Sequence, residues 1–268
     1  MYMYTLQLYM DFSGSMDVVI GTAQIFGIEL PENFKQPFFS KNISDFWTRW
    51  HITLGIWFRD YIFYPVSLTE KCKKITTAAR KKIGNYYGPL IASSIALFCV
   101  WLSNGLWHGA AWSFIFFGMY HFALILLGKI FNPLFERIIK FLHINPKHFL
   151  YQGFQIIRTT LLVCVGELFF RANTLTDGFK MFGKMISEFS FESFKNGIIL
   201  NIGLDKKDYL LISCFVVLIF IISILKEKGI NVREFVAKRN VVIRWGIYYV
   251  LIIGIIVFGA YGLGYVPL

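Results

Sequence analysis

Asn104-Gly105-Leu106-Trp107-His108-Gly109-Ala110-Ala111-Trp112 joins two apolar runs, Leu90 to Trp107 and Trp112 to Ile130. Each run is close to the roughly 20 apolar residues a helix needs to cross a bilayer. The junction therefore sets an imidazole, an amide and two indoles where a membrane protein ordinarily carries hydrocarbon. Ionisable groups at that depth are expensive, and where they occur they mark candidate functional sites. From the residues alone His108 has two readings: a proton acceptor in a site, or a structural histidine bonded to a neighbouring helix. If the segment stays helical, Asn104 lies one turn earlier on the same face and could orient the ring.

Working outward, the whole chain has the composition of a membrane protein. Of its 268 residues 56% are hydrophobic and only 16% charged, against about 25% charged in soluble domains. Further apolar runs at Phe154 to Phe170, Tyr209 to Leu225 and Val241 to Phe258 bring the expected spans to five. Val18 to Phe26 is apolar but short, which suggests a shallow helix or part of a broken one. Asp11 and Asp17 flank Ser13-Gly14, where a kink or helix break is expected. The predicted fold class is an all-α polytopic membrane bundle, one membrane domain over residues 1–268.

The net charge of +11 is placed between the spans, as expected of cytoplasmic loops facing anionic lipid, and nucleic acid is not an expected partner. Lys71 to Lys82, Lys129 to Lys147 and Lys226 to Arg244 are the basic stretches. The Leu106–Trp112 connection has no Lys or Arg, so its turn is expected on the non-cytoplasmic side. Localisation is expected in a bacterial cytoplasmic (inner) membrane, multi-pass, with membrane lipids as partners. Cys72, Cys99, Cys164 and Cys214 form no CxxC pair, so neither a disulfide framework nor a metal site is expected. Met1 to Tyr9 has no basic n-region or cleavage site; it reads as the tail of a membrane helix, and a truncated chain is expected.

Ser40 to Tyr64 reads as an aromatic amphipathic helix, interfacial or re-entrant, with Ser44 as its N-cap and Asp45–Arg49 as an i,i+4 pair. Trp47, Trp50, His51, Leu54, Trp57, Phe58 and Tyr61 recur at helical spacing. By itself His51 suits a packing role better than a catalytic one. Arg59 and Asp60 could bind a phosphate or pair with each other. His121 is expected to be structural, and Glu167 to pair with Arg171 four residues on. No serine nucleophile elbow, phosphate-binding glycine loop or carboxylate dyad is present.

Four stretches resemble the membrane-bound O-acyltransferase superfamily, in its bacterial alginate O-acetyltransferase-like branch. They are Met10-Asp11-Phe12-Ser13-Gly14 with Asp17; Pro31-Glu32-Asn33-Phe34 with Pro37; Asp45 to Leu54 with Trp57-Phe58-Arg59-Asp60-Tyr61; and Gly105 to Ala110. Phe169-Phe170-Arg171-Ala172 is a weaker fifth. The resemblance implies a partial fold of that superfamily, with several N-terminal membrane helices of longer members missing. It implies that His108 is the catalytic histidine of a tunnel through a ring of helices, with His51 as a second catalytic position. Asn104, Trp107, Trp50, Arg59 and Asp60 are then orienting or tunnel-lining residues. The implied reaction moves an acetyl group from a cytoplasmic acetyl-CoA or carrier thioester, without a bound cofactor or metal. The acceptor is a hydroxyl of a cell-surface polysaccharide, reached directly or through a periplasmic or extracellular acetyltransferase partner. His108 would be the general base. D-alanyl transfer to teichoic acid is the competing enzymatic reading, because it shares the Trp-His-Gly and Arg-Trp-His elements. Ser15, where an aromatic usually follows the glycine, departs from the pattern and bears on the substrate. A translocation scaffold would need paired acidic residues along a pore, which the sequence lacks.

Overall fold

The computed structural model describes residues 1–190, 192–197 and 205–259. Their regular structure is helical, and the one β-type pairing among them is an isolated antiparallel bridge between Phe34 and Trp50. Contacts group the chain into two units, residues 1–189 and 190–268. Five helices among the described residues are long and apolar enough to cross a membrane.

The first unit opens with α1 (Tyr2–Ile25), a continuous helix of 24 residues. The break expected at Ser13-Gly14 does not form. Ser15 Oγ donates back to the Asp11 carbonyl at 2.7 Å, a local bond that a helix accommodates without losing its ladder. Val18 to Phe26 is accordingly the end of this helix and its C-cap.

The aromatic segment is not one helix but two, α2 (Ile43–Arg49) and α3 (Ile52–Phe58). Its N-cap is Asn42 rather than Ser44, with Asn42 Oδ1 accepting from Asp45 N–H at 2.8 Å. The Asp45–Arg49 pair forms at 2.9 Å. Trp50 is extended and His51 is left-handed, with φ 49° and ψ 53°. The helical face read from Trp47 to Tyr61 is therefore interrupted where its two most informative residues lie. A five-residue π-turn (Arg59–Phe63) and α4 (Tyr64–Ser67) follow.

The basic stretch Lys71 to Lys82, read as a loop, is helical and opens α5 (Glu70–His108). Thr69 caps it, and Gly84 breaks its path with φ 83° and ψ 177°. The chain folds back there so tightly that a Cβ on Gly88 would lie 2.6 Å from the Arg80 backbone nitrogen. Only glycine meets both demands, a left-handed turn and a bare backbone face. The span proper runs from there to His108.

Next come α6 (Trp112–Phe141), α7 (Phe149–Arg171) and α8 (Leu175–Ser187). α6 runs well past Ile130, so most of the Lys129–Lys147 stretch is helical too. α5 and α6 pack with their backbones nearly touching. A Cβ on Gly105 would lie 2.6 Å from the Phe114 carbonyl oxygen, and one on Gly118 would collide with the Trp101 carbonyl oxygen. Small residues at such crossings substitute close van der Waals contact for the hydrophobic drive that lipid cannot supply. The core gathers where α2 meets this pair, around Ile43, Phe46, Trp50, Trp101, Ile125 and Val163.

The second unit contains α9 (Glu192–Lys195), α10 (Lys206–Glu227), α11 (Val232–Ala237) and α12 (Val241–Phe258). α10 and α12 match the fourth and fifth expected spans, and the basic residues between them include α11. Asp205 and Asp208 close a reciprocal capping box at the start of α10, which satisfies backbone donors that lipid could not. Residues 191 and 198–204 and the end of the chain after Gly259 lie outside the described residues.

Candidate active site

The close α5–α6 crossing determines where His108 stands. It is the last residue of α5, and the chain turns at Gly109 before re-entering as α6. Its ring packs edge-on to Phe170 at 4.8 Å and Phe117 at 5.9 Å, and touches Trp107 at 4.6 Å between centroids. Among the described residues no hydrogen bond holds either ring nitrogen. The aromatic walls fix the plane of the imidazole and leave its chemistry free.

His51 reaches the same place from the opposite direction. Its left-handed backbone turns the chain between α2 and α3, a conformation uncommon for a residue with a side chain. Asn33 stabilises this turn. Its Oδ1 accepts from Thr53 N–H and Thr53 Oγ1, both at 3.0 Å, and faces His51 Nδ1 at 3.3 Å. The Asn33 carbonyl accepts from Ile52 N–H at 3.0 Å. Phe12 of α1 packs edge-on to the His51 ring at 4.7 Å. Burial pushes the His51 imidazole below its ordinary pKa, because removal from water disfavours the charged form.

Between the two histidines lies a cavity of about 700 Å³, within the range of small-molecule sites. His108, His51, Asn104, Trp107, Trp50 and Arg59 all line it. Trp107 touches both imidazoles, His51 at 6.1 Å and His108 at 4.6 Å. Asp60 is the exception among the expected residues. It does not line the cavity but accepts from Arg59 Nε at 2.8 Å and Nη2 at 3.4 Å.

Asn104 is buried, and its Oδ1 has no hydrogen-bond partner among the described residues. The expected bond from Asn104 to the His108 ring is not made. A buried acceptor left unpaired costs about 1–3 kcal/mol, and Asn104 lines the cavity, so a donor on a bound molecule can satisfy it. Glu167 overturns a second expectation. Arg171 lies over the Tyr4 ring at 5.3 Å, while Glu167 is 3% exposed, lines the cavity and has an Oε2 without a partner among the described residues.

Sequence reasoning did not single out Asn33, Phe12, Phe117 or Phe170, and it read Glu167 only as half of a local ion pair. Asn33, Phe12 and Phe170 fall in quoted motifs, but nothing local says that Asn33 supports a turn 18 residues away. Among the described residues no group of three or more His, Cys, Asp and Glu side chains could hold a metal ion.

Residues 1–79 match the profile of MBOAT, the membrane-bound O-acyltransferase family. Over these residues the chain is similar to that family. It is 36% identical to a probable alginate O-acetylase of Pseudomonas syringae over 69% of its own length and 30% of that protein. An alignment of that extent necessarily crosses the middle of the chain, where His108 lies. It is 33% identical to a peptidoglycan O-acetyltransferase of Helicobacter pylori over 68% of this chain and 30% of that one. A teichoic acid D-alanyltransferase of Bacillus subtilis is 41% identical over 47% of this chain and 29% of its own length. The chain thus spans about 30% of the length of these relatives. Of the two histidines, His51 lies within the family profile and His108 beyond it.

Proposed function

We propose that this chain carries the reaction centre of a membrane O-acyltransferase. It transfers an acetyl group from a cytoplasmic thioester donor to hydroxyls of an extracytoplasmic polysaccharide, directly or through a partner enzyme. The observation that carries this reading is the pairing of His51 and His108 in the lining of one cavity, with His108 free of any hydrogen bond among the described residues. A neutral, aromatic-walled imidazole is suited to accept the proton of an attacking hydroxyl. The hydroxyl oxygen bonds the acyl carbon, the carbon–sulfur bond breaks, and the proton taken up by His108 is available to the departing thiolate. Apolar walls exclude the water that would hydrolyse the thioester. Asn104 offers its free Oδ1 to a ligand donor, and Arg59 places a cation at the cavity wall for an anionic part of donor or acceptor.

The Bacillus subtilis relative supports a second reading, D-alanyl transfer to teichoic acid. One experiment tests both. His108→Ala is introduced at the native locus, and ester-linked acetate and D-alanine are measured in cell-surface polymers. Loss of acetate with D-alanine unchanged supports the first reading, and the reverse supports the second. If both ester contents match the parent while membrane levels of the protein are normal, His108 is not the base.

A further inference from the structure

We infer that Asn33 is a positioning residue: it fixes neutral His51 as the Nδ1–H tautomer, so that Nε2 presents a lone pair to the cavity. The bonds around Asn33 leave one assignment. A backbone N–H can only donate, so the Asn33 atom that meets Thr53 N–H at 3.0 Å must be the carbonyl oxygen, Oδ1. Thr53 Oγ1 donates to the same oxygen at 3.0 Å. His51 Nδ1 faces it at 3.3 Å. Two bare acceptors would repel there, so Nδ1 carries the proton. A neutral imidazole has one ring proton, and Nε2 is left without it.

The support is rigid. Asn33 is 2% exposed, so water does not compete for Oδ1. Its carbonyl is tied to Ile52 N–H, Lys35 N–H donates to the Arg49 carbonyl at 2.9 Å, and Phe34 bridges Trp50. The amide and the left-handed turn it serves therefore hold each other in register. Asn33 does not itself line the cavity, whereas His51 does.

The consequence concerns what the site asks of its ligand. A neutral His51 of this tautomer cannot donate from Nε2 to a developing oxyanion; it accepts a hydrogen bond from the ligand. Alongside a base at His108, that donor is a second, unreacting hydroxyl of the acceptor. The site is thus built for a polyol such as a sugar rather than a lone alcohol. The identity of the donor rests on acyl transfer to a hydroxyl as proposed above; the tautomer does not.

The two parts are tested separately. The chain is labelled with ¹⁵N-histidine, reconstituted in lipid nanodiscs, and its ring nitrogens are read by two-bond ¹H–¹⁵N correlation, with His51→Gln identifying the His51 signals. The expected pattern is a protonated Nδ1 and a bare Nε2. A protonated Nε2 on neutral His51 overturns the proposal. Asn33→Asp keeps the accepting oxygen and should keep Nδ1 protonated. Asn33→Ala should release the ring to a mixture of tautomers, and if that variant does not fold, the Asp variant still decides. In turnover by the membrane-embedded protein, His51→Phe, which removes both ring nitrogens, should raise the KM of a sugar acceptor about tenfold more than that of a simple alcohol. An equal effect on both acceptors overturns the role given to Nε2. Absence of turnover in the parent protein would count against the proposed function and leave the tautomer result standing.

Discussion

His108 and His121 stand on consecutive helices thirteen residues apart, and they show two fates of a histidine in an apolar bundle. His121 is fully buried, accepts from Trp47 Nε1 at 3.2 Å, and is stacked on Trp101 at 5.4 Å. An indole N–H only donates, so His121 Nδ1 is the bare nitrogen and Nε2 carries the proton, with no partner among the described residues. It does not line the cavity. His108 has similar aromatic company but opens on the cavity and makes no hydrogen bond among the described residues. Aromatic packing is common to both; access and a free lone pair separate a candidate base from a strut.

Substitutions should divide along this line. The largest effect is expected at His108: alanine there should lower acyl transfer by at least about a hundredfold, with unfolding in detergent little changed. A drop in unfolding temperature as large as the drop in turnover would make His108 another strut. His121→Ala should do the reverse. It removes a fully enclosed ring and strands the Trp47 N–H, which should destabilise the protein by about 3–5 kcal/mol, read as a lower unfolding midpoint. Normal stability with lost turnover would move His121 into the site. Gly118→Ala tests the crossing that connects the two, since the added methyl collides with the Trp101 backbone and should cost about 1–3 kcal/mol. Turnover should fall as well, because α5 carries His108. The smallest effect is expected at Asp60→Asn, where an exposed partner of Arg59 is neutralised; the unfolding midpoint should not move.

Much of this was legible in the sequence, for a physical reason. Hydropathy reports the bilayer directly, so all five spans were visible, and α12 has the expected limits. Helix continuity was not visible. Ser13-Gly14 looks like a break but is absorbed in α1, whereas the break at Trp50-His51 lies inside a run of good helical periodicity. It depends on Asn33, a residue that sequence distance hides. The basic segments misled in another way: positive charge reports which surface a segment meets, not whether it is coiled or helical. For the site, residue type was enough to nominate His108, while His51 needed the family motif. Glu167 was misjudged because i,i+4 spacing permits an ion pair without requiring one, and Arg171 found the Tyr4 ring instead.

The fold-back at Gly84 makes α5 a measuring rod. From that turn to His108 the helix rises about 36 Å, against a hydrocarbon thickness of about 30 Å. Lys71, Lys74, Lys81 and Lys82 are exposed beside the near end, the kind of charge that meets anionic headgroups. Laid across a bilayer, a rod of this length would carry the imidazole toward the face opposite those lysines. Lengthening or shortening it by one turn would slide the histidine about 5 Å along the membrane normal, out of register with His51.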